Sequence, residues 1–378
     1  MKLYQSVEKY RISERCEGSY ISDANMDFIC GLLRDTRPKK ILELGVAKGG
    51  STVDLLNCIK ELEIDCEMYS VDLAERYFAD ESLTTGYLAD EYKKDKPEFG
   101  FHKMILGKNI AQCLDEIGGD IDFVFMDTTH RMPGEVLDFL VIYPYLSSNA
   151  VIVLDDLKLH FYQDNSAIAC TTLFTTVTAE KFLNTEDEYP NVGAFRITED
   201  TGKYLLDVFN ALLLPWFYIP SREYLESYDN IFFRYYNREE LKIWSYVKDM
   251  AIYYDMVKKN KLNIYDGTVD QLPFAFENTD LMIYGAGKRA SALYKLLSEN
   301  NVVVSGFVVS DGHKKVNSYM GVPVYEFKDI KNSAKESLII QAVLAEVVSI
   351  KLALSGCRYL MLAEPVWKQI ERENSDIK

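Results

Sequence analysis

Positive charge is in short supply in this sequence. The 378 residues carry 42 lysines and arginines against 58 aspartates and glutamates, a net charge of −16. That balance argues against a protein that grips a nucleic-acid backbone or an anionic membrane surface, although a small anionic ligand in a local pocket stays open. Long apolar runs are missing too. The most apolar stretch, "ALLLPWFYIP", is interrupted by Pro215 and Pro220, so no membrane span is expected. The opening "MKLYQSVEKYRISERCEG" is too charged to read as a secretory leader. Cys16, Cys30, Cys58, Cys66, Cys113, Cys170 and Cys357 are scattered, odd in number and without a C-x-x-C pair. This speaks against a zinc cluster and for reduced thiols in a cytoplasmic protein. There is no internal repeat and no low-complexity tract.

What is present is a chain with 48% hydrophobic residues, long enough for two domains. From about residue 24 to residue 200, short apolar runs ("KKILELG", "EMYSVDL", "HKMIL", "DIDFVFMD", "NAVIVLDD") alternate with segments whose apolar residues recur at helical spacing ("STVDLLNCIKEL", "NIAQCLDEI", "GEVLDFLVIYPYL"). The expected fold class is therefore α/β, a mostly parallel sheet covered by helices on both faces. "NVGAFRIT" reads as a further strand, a candidate antiparallel edge. Residues 73–100 are polar and too long for a simple connection, which suits either a lid or an irregular surface element. Residues 201–276 are rich in tyrosine, phenylalanine and tryptophan. They read as an aromatic helical bridge, used for packing in preference to a ligand platform. From residue 277 a second alternating unit begins with "DLMIYGAGKRASALYKLLSENNVVVSGFVVSD". The domain expectation is 1–200, 201–276 and 277–378, the last a smaller Rossmann-like unit.

In "LELGVAKGGST", Glu43 ends the first strand, and Gly45 and Gly49 flank the turn into a helix. Glycines there take positive φ and admit close approach of a ligand. The spacing is G-x-x-x-G rather than the pyrophosphate-binding G-x-G-x-x-G, and no Walker lysine follows. A compact, non-phosphate cofactor lying across the strand ends fits this pattern; a plain strand–helix turn is the alternative. The next strand, "YSVDL", ends in Asp72, well placed to accept hydrogen bonds from two ribose hydroxyls.

Taken in order, "ILELGVAKGGST", "YSVDL", "FVFMDTTH" and "AVIVLDD" resemble the class I S-adenosylmethionine-dependent methyltransferases. The likeness is to the metal-dependent O-methyltransferases, including those acting on macrolide sugars and rhamnosyl groups, and it covers roughly residues 20–200. The resemblance implies that Glu43, Gly45, Ala47, Gly49 and Ser51 line the methionine and ribose part of the donor, that Asp72 holds the ribose and that Asn109 lies near the adenine. It further implies that Asp127, Asp155 and Asp156 bind one divalent ion. Three carboxylates at the carboxyl ends of adjacent parallel strands repel one another unless a cation sits between them, and all-oxygen ligation suits Mg²⁺ or Mn²⁺ rather than zinc. His130 stands where sugar-modifying relatives keep a histidine, and a neutral imidazole there would take the acceptor's proton. The competing reading is capping: "DTTH" before Pro133 and the "DD" pair are also helix-cap sequences. His160 is a second candidate base, whereas His102 and His313 have no supporting context. The family often carries glycines at Thr128 and around Asn149, and this departure bears on the shape of the acceptor pocket.

The late "IYGAGKRA" fits G-x-G-x-x-A between a strand and a helix and resembles Rossmann-like units of bacterial glycan-modifying enzymes. Gly285, Gly287 and Lys288 would hold nucleotide phosphates and Asp311 a ribose; packing or dimerisation is the alternative. The expected activity is transfer of a methyl group from S-adenosylmethionine to a hydroxyl of a sugar, nucleotide sugar or glycan precursor, with polysaccharide biosynthesis as the setting and a homo-oligomer compatible with it. The alternatives are a catalytically silent cofactor- or nucleotide-sugar-binding assembly protein, and an O-methyltransferase acting on a small phenol.

Overall fold

The computed structural model describes residues 4–374 apart from 163, 185–189, 259–262, 277–278, 331–336, 344–347, 350 and 353–354. The chain divides into two compact units, Met1–Lys248 and Asp249–Lys378. Residues 201–276 therefore belong partly to each and do not stand as a body of their own.

The first unit is built on a seven-stranded sheet. Its strands are β1 (Lys40–Leu44), β2 (Glu67–Asp72), β5 (His102–Leu106), β6 (Ile121–Met126), β7 (Leu146–Leu154), β8 (Glu180–Leu183) and β9 (Gly193–Arg196), in the spatial order β5-β2-β1-β6-β7-β9-β8. The first five are parallel neighbours. Apolar runs without polar alternation, such as "FVFM", are buried on both faces, as a helix-covered parallel sheet requires. β9 is antiparallel to β7, as its sequence allowed, but it is not the edge: β8, the short "EKFL", pairs outside it. Four residues of mixed polarity carry too little periodicity to announce a strand.

The helix Asp23–Thr36 begins where Ser22 Oγ accepts the Asn25 N–H and ends at Arg37 in the left-handed region, one residue before Pro38. Its buried face, including Met26, Phe28, Ile29 and Leu33, joins Leu55, Leu56 and Ile59 of the helix Gly50–Glu61 over the sheet residues Ile41, Phe123 and Val151. Residues 73–100 form a small hairpin of β3 (Arg76–Tyr77) and β4 (Asp80–Thr84), then a helix Tyr87–Lys93. The amides of Gly86 and Leu88 donate to Ala47 and Lys48 carbonyls at 2.8 and 3.0 Å, so this insertion is fastened to the glycine turn. The aromatic residues 209–244 supply interior packing: Phe209, Phe232, Tyr236 and Trp244 meet in edge-on contacts with centroids 4.7–5.6 Å apart.

The second unit repeats the α/β plan. Its strands β10 (Ile264–Tyr265), β11 (Leu281–Tyr284), β12 (Val304–Val309), β13 (Ser318–Tyr319), β14 (Val322–Glu326), β15 (Leu338–Gln341) and β16 (Arg358–Leu362) lie in the order β10-β16-β15-β11-β12-β14-β13. All pairs are parallel except β13 with β14. The helices Lys288–Glu299 and Glu364–Glu373 cover its core, with Leu293, Leu297, Val366 and Trp367 packed on Ile283 and Phe307. Among the described residues no helix is long and apolar enough to cross a membrane, and all seven cysteines are free thiols.

In the first sheet the chain runs outward from β1 to β2 and β5, then returns to lay β6 and β7 on the other side, so the switch point lies between β1 and β6. Gly45 sits there with φ +86°, and a Cβ on it would lie 1.8 Å from the Asp127 carbonyl oxygen. The clash is with backbone and cannot be relieved by a side-chain rotation. Gly45→Ala is expected to destabilise the first unit by at least about 2 kcal/mol, read as a fall in its thermal midpoint; an unchanged midpoint would contradict this packing.

Candidate active site

The carboxyl ends of β1, β2, β6 and β7 carry the residues singled out from the sequence. After β1 the backbone turns at Gly45, Ala47 and Gly49, all at positive φ. Asp72 Oδ2 accepts the N–H groups of Val46 and Ala47 at 2.8 and 3.2 Å, and its Oδ1 accepts the Ala74 N–H at 2.8 Å. The acid at the end of β2 thus holds the glycine turn in shape. Ser51 lies in the first turn of the following helix, nearly buried.

Glu43 has no solvent exposure. Its Oε2 receives the hydroxyls of Thr52 at 2.8 Å and Ser70 at 2.5 Å, and Oε1 has no protein partner. Burial pushes its carboxyl up to about 7 despite those hydrogen bonds. Glu43 lies under the turn as a support, tied through Ser70 to His102, whose Nε2 is 2.8 Å away and whose ring burial drives down to about 3. Asn109 caps a short 3₁₀ turn with Gln112 and exchanges hydrogen bonds with Ser227 of the helix Arg222–Tyr235. Its side chain is occupied in joining these elements.

The acids after β6 and β7 converge. His130 Nε2 lies 3.4 Å from Asp127 Oδ1 and 3.3 Å from Asp156 Oδ2, and one ligand atom from each of the three comes within 4.8 Å of the others. Asp155 does not join that group: it is 8% exposed, and its Oδ1 accepts the Asp156 N–H at 2.8 Å. Asp156 Oδ1 accepts the Asn191 side-chain amide at 2.8 Å. Enclosure pushes Asp127 up to about 6, against the pull of His130 and with the repulsion of Asp156 and Glu135. Burial, then Asp127 and Asp156, hold Asp155 well above the usual carboxylate range. Burial would lower the His130 ring, but Glu135, Asp127 and Asp156 outweigh it and push it up to about 9. Mutually repelling carboxylates around one imidazole are a site short of positive charge, and hard carboxylate oxygens suit a divalent ion such as Mg²⁺ or Mn²⁺. The residues present fit such an ion.

With this geometry the comparisons with known proteins become legible. Residues 42–157 match the family model described as a methyltransferase domain. The match takes in the glycine turn, Asp72, Asp127, His130, Asp155 and Asp156. Solved structures that resemble the chain include an SAH-bound methyltransferase of Podospora anserina (17% identity, TM-score 0.37, covering 47% of this chain and 80% of that one). Others are the SAM-bound O-methyltransferase of Streptomyces achromogenes involved in tomaymycin synthesis (20%, 0.36, 47% and 81%) and an O-methyltransferase of Bacillus cereus in complex with SAH (14%, 0.35, 48% and 84%). No curated protein matches the chain.

Two further neighbours of the acid cluster carry no spacing signal in the sequence. Glu135 has no exposure and lies 3.4 Å from His130 Nδ1, and Cys170 Sγ is 3.9 Å from the same nitrogen. The visible signal was an acid inside the apolar helical run "GEVLDFLVI", where an unpaired charge would be costly. His160 stands apart, its ring 4.0 Å from that of Phe161. In the second unit, Gly285 takes φ +120° and Gly287 precedes the helix that opens at Lys288. Asp311 there accepts the Lys328 N–H and the Lys351 ammonium at 2.8 and 3.0 Å, fastening neighbouring segments.

The buried Glu43 gives a pH test. A carboxyl raised in the folded state stabilises the fold while protonated, and that contribution is lost as pH rises from about 4.5 through about 7, because only the unfolded chain ionises freely in that window. Glu43→Gln removes the dependence. The variant's thermal midpoint relative to the parent should climb between pH 5 and pH 8 (values of order set by the shift); a difference that stays flat with pH would contradict the assignment.

Proposed function

We propose that the first unit is a metal-dependent O-methyltransferase that moves the methyl group of S-adenosylmethionine to a hydroxyl of a sugar or glycan precursor. The convergence of Asp127, Asp156 and His130 within 4.8 Å of one another carries this reading. It is supported by their place beside the positive-φ turn after β1, at the switch point of the sheet, where open α/β sheets bind their ligands.

In this reading Gly45, Ala47, Gly49 and Ser51 receive the donor, Asp72 keeps the turn in register and meets the ribose, and Asn109 borders the adenine. Asp127 and Asp156 hold the ion, with Asp155 behind them. A divalent ion bound there supplies electrostatic stabilisation of the alkoxide that forms on the acceptor. The acceptor oxygen attacks the methyl carbon in line, the carbon–sulfur bond breaks, S-adenosylhomocysteine leaves and the hydroxyl proton passes to His130 Nε2. His130 accepts a proton only when its ring is neutral. The surrounding carboxylates oppose that state unless a divalent cation balances them, which is a physical reason for metal dependence. The assignment to sugars rests on the histidine of "DTTH" and on the second α/β unit with "IYGAGKRA"; the seven free thiols support a cytoplasmic setting.

Asp156→Asn should lower methyl transfer at least about 100-fold while S-adenosylmethionine still binds. Chelation should abolish the parent's activity, and Mg²⁺ or Mn²⁺ should restore it. Donor-dependent methylation of a panel of sugars, nucleotide sugars and catechols reads both. Turnover that survives chelation would refute the metal role, and preference for catechols would refute the sugar.

A further inference from the structure

Phe161 and Tyr162 follow closely on Asp155 and Asp156 in the chain, and the reaction just described makes no use of them. They are 82% and 62% exposed. An isolated exposed ring is ordinary, but these two are consecutive and stand on a segment fastened at both ends. At its start the Leu157 N–H donates to the Asn191 carbonyl at 2.8 Å, and the Leu157 carbonyl accepts the Thr171 hydroxyl. At its end Arg131 Nε donates to Asp164 at 2.9 Å, and the Ala169 N–H donates to the His130 carbonyl at 2.9 Å.

The intervening chain is folded tightly. The Leu159 N–H donates to the Asp156 carbonyl at 3.3 Å and the Phe161 N–H to the Lys158 carbonyl at 2.9 Å. At about 2 Å per residue in such turns, the Phe161 backbone stands roughly 10 Å from that of Asp156. Burial, and then the charges of Asp156 and Asp155, hold the Tyr162 phenol above its usual range, which sets it beside the same acids. Phe161 is propped from within: the His160 ring lies against it with centroids 4.0 Å apart, and His160 Nδ1 is 3.5 Å from Thr171 Oγ1. The phenylalanine ring is held in place while its outer surface meets solvent.

We propose that Phe161 and Tyr162 form an acceptor platform, on which an uncharged sugar ring lies while a hydroxyl of the neighbouring ring reaches the acid cluster. The inference rests on the O-methyltransferase reading of that cluster and narrows its acceptor to a neutral saccharide of two or more rings. A pyranose carries its hydroxyls at the rim and C–H groups on its faces, and those weakly positive hydrogens suit the negative face of an aromatic ring. A catechol whose own two hydroxyls meet the ion cannot also lie on a platform roughly 10 Å away, whereas a disaccharide spans both. Asp155, Asp156 and Asp164 outnumber Lys158 on this segment, and Arg131 is paired with Asp164. That balance disfavours the diphosphate of a nucleotide sugar.

Methyl transfer and saturation-transfer NMR with the full-length protein test this, using methyl glycosides of neutral hexoses and rhamnose, the matching disaccharides, a UDP-sugar and catechol. Disaccharides should exceed the methyl glycosides at least about 10-fold in kcat/KM. Phe161→Ala should erase that advantage through KM, and Phe161→Trp should keep it, with kcat and the S-adenosylmethionine Kd unchanged. The ring lies outside the core, so the fold should survive its removal; Tyr162→Ala is the second variant. Equal kcat/KM for one and two rings, an advantage that survives both alanine variants, or better turnover of the UDP-sugar or catechol overturns the proposal. A parent that binds S-adenosylmethionine yet methylates none of the panel removes the O-methyltransferase reading instead, and the NMR then decides alone. Saturation of disaccharide ring protons in the parent, lost in Phe161→Ala, upholds the platform; no saturation in the parent overturns it.

Discussion

Crowding of negative charge at one end of the first sheet is the constraint on which the site depends. Asp127, Asp155 and Asp156 follow two adjacent strands, Glu135 sits behind them, and Asp138, pushed up to about 7 by burial and by Glu135, lies on the same helix. Like charges in an enclosed setting are unfavourable unless protons or cations join them. His130 is the cation paired with Asp127, Glu135 and Asp156, and it can be a base only if another cation takes over that role. The need for positive charge therefore links the packing of the strands to the chemistry.

The surrounding fold keeps that crowding in place. Gly45 lets the turn after β1 pass against the Asp127 carbonyl, and Asp127 N–H returns a hydrogen bond to Leu44 at 2.8 Å. Asp72 fixes the turn from the other side, and Glu43 braces it from below through Thr52 and Ser70. Apart from the Thr52 contact, which reaches the following helix, these contacts join neighbouring strands at their carboxyl ends, so the glycine turn and the acid cluster are set by the same registers.

Much of this was legible from local pattern. Parallel strands of a covered sheet announce themselves as short, mainly apolar runs, and β1, β2, β5, β6 and β7 fell on "KKILELG", "EMYSVDL", "HKMIL", "DIDFVFMD" and "NAVIVLDD". Asp127, Asp155 and Asp156 could be assigned to strand ends for the same reason. What sequence spacing could not carry was side-chain direction. Asp155 and Asp156 are adjacent, yet one turns to the next amide while the other faces His130 with φ +60°. Nor could spacing show that the Asn109 side chain joins Gln112 and Ser227, the latter 118 residues away. Glu135 was hidden because an acid within a helical run ordinarily faces water, and only the tertiary fold turns it inward. The aromatic segment gave its content of helices but not its division between two units.

The central claim is that the converging carboxylates form one site for a hard divalent cation. Electron paramagnetic resonance of Mn²⁺ titrated into the full-length protein counts bound ions directly. One ion per chain, displaced by Mg²⁺ and absent from Asp127→Asn, is the predicted result. A Mn²⁺ spectrum that remains that of the free ion throughout the titration would contradict the account.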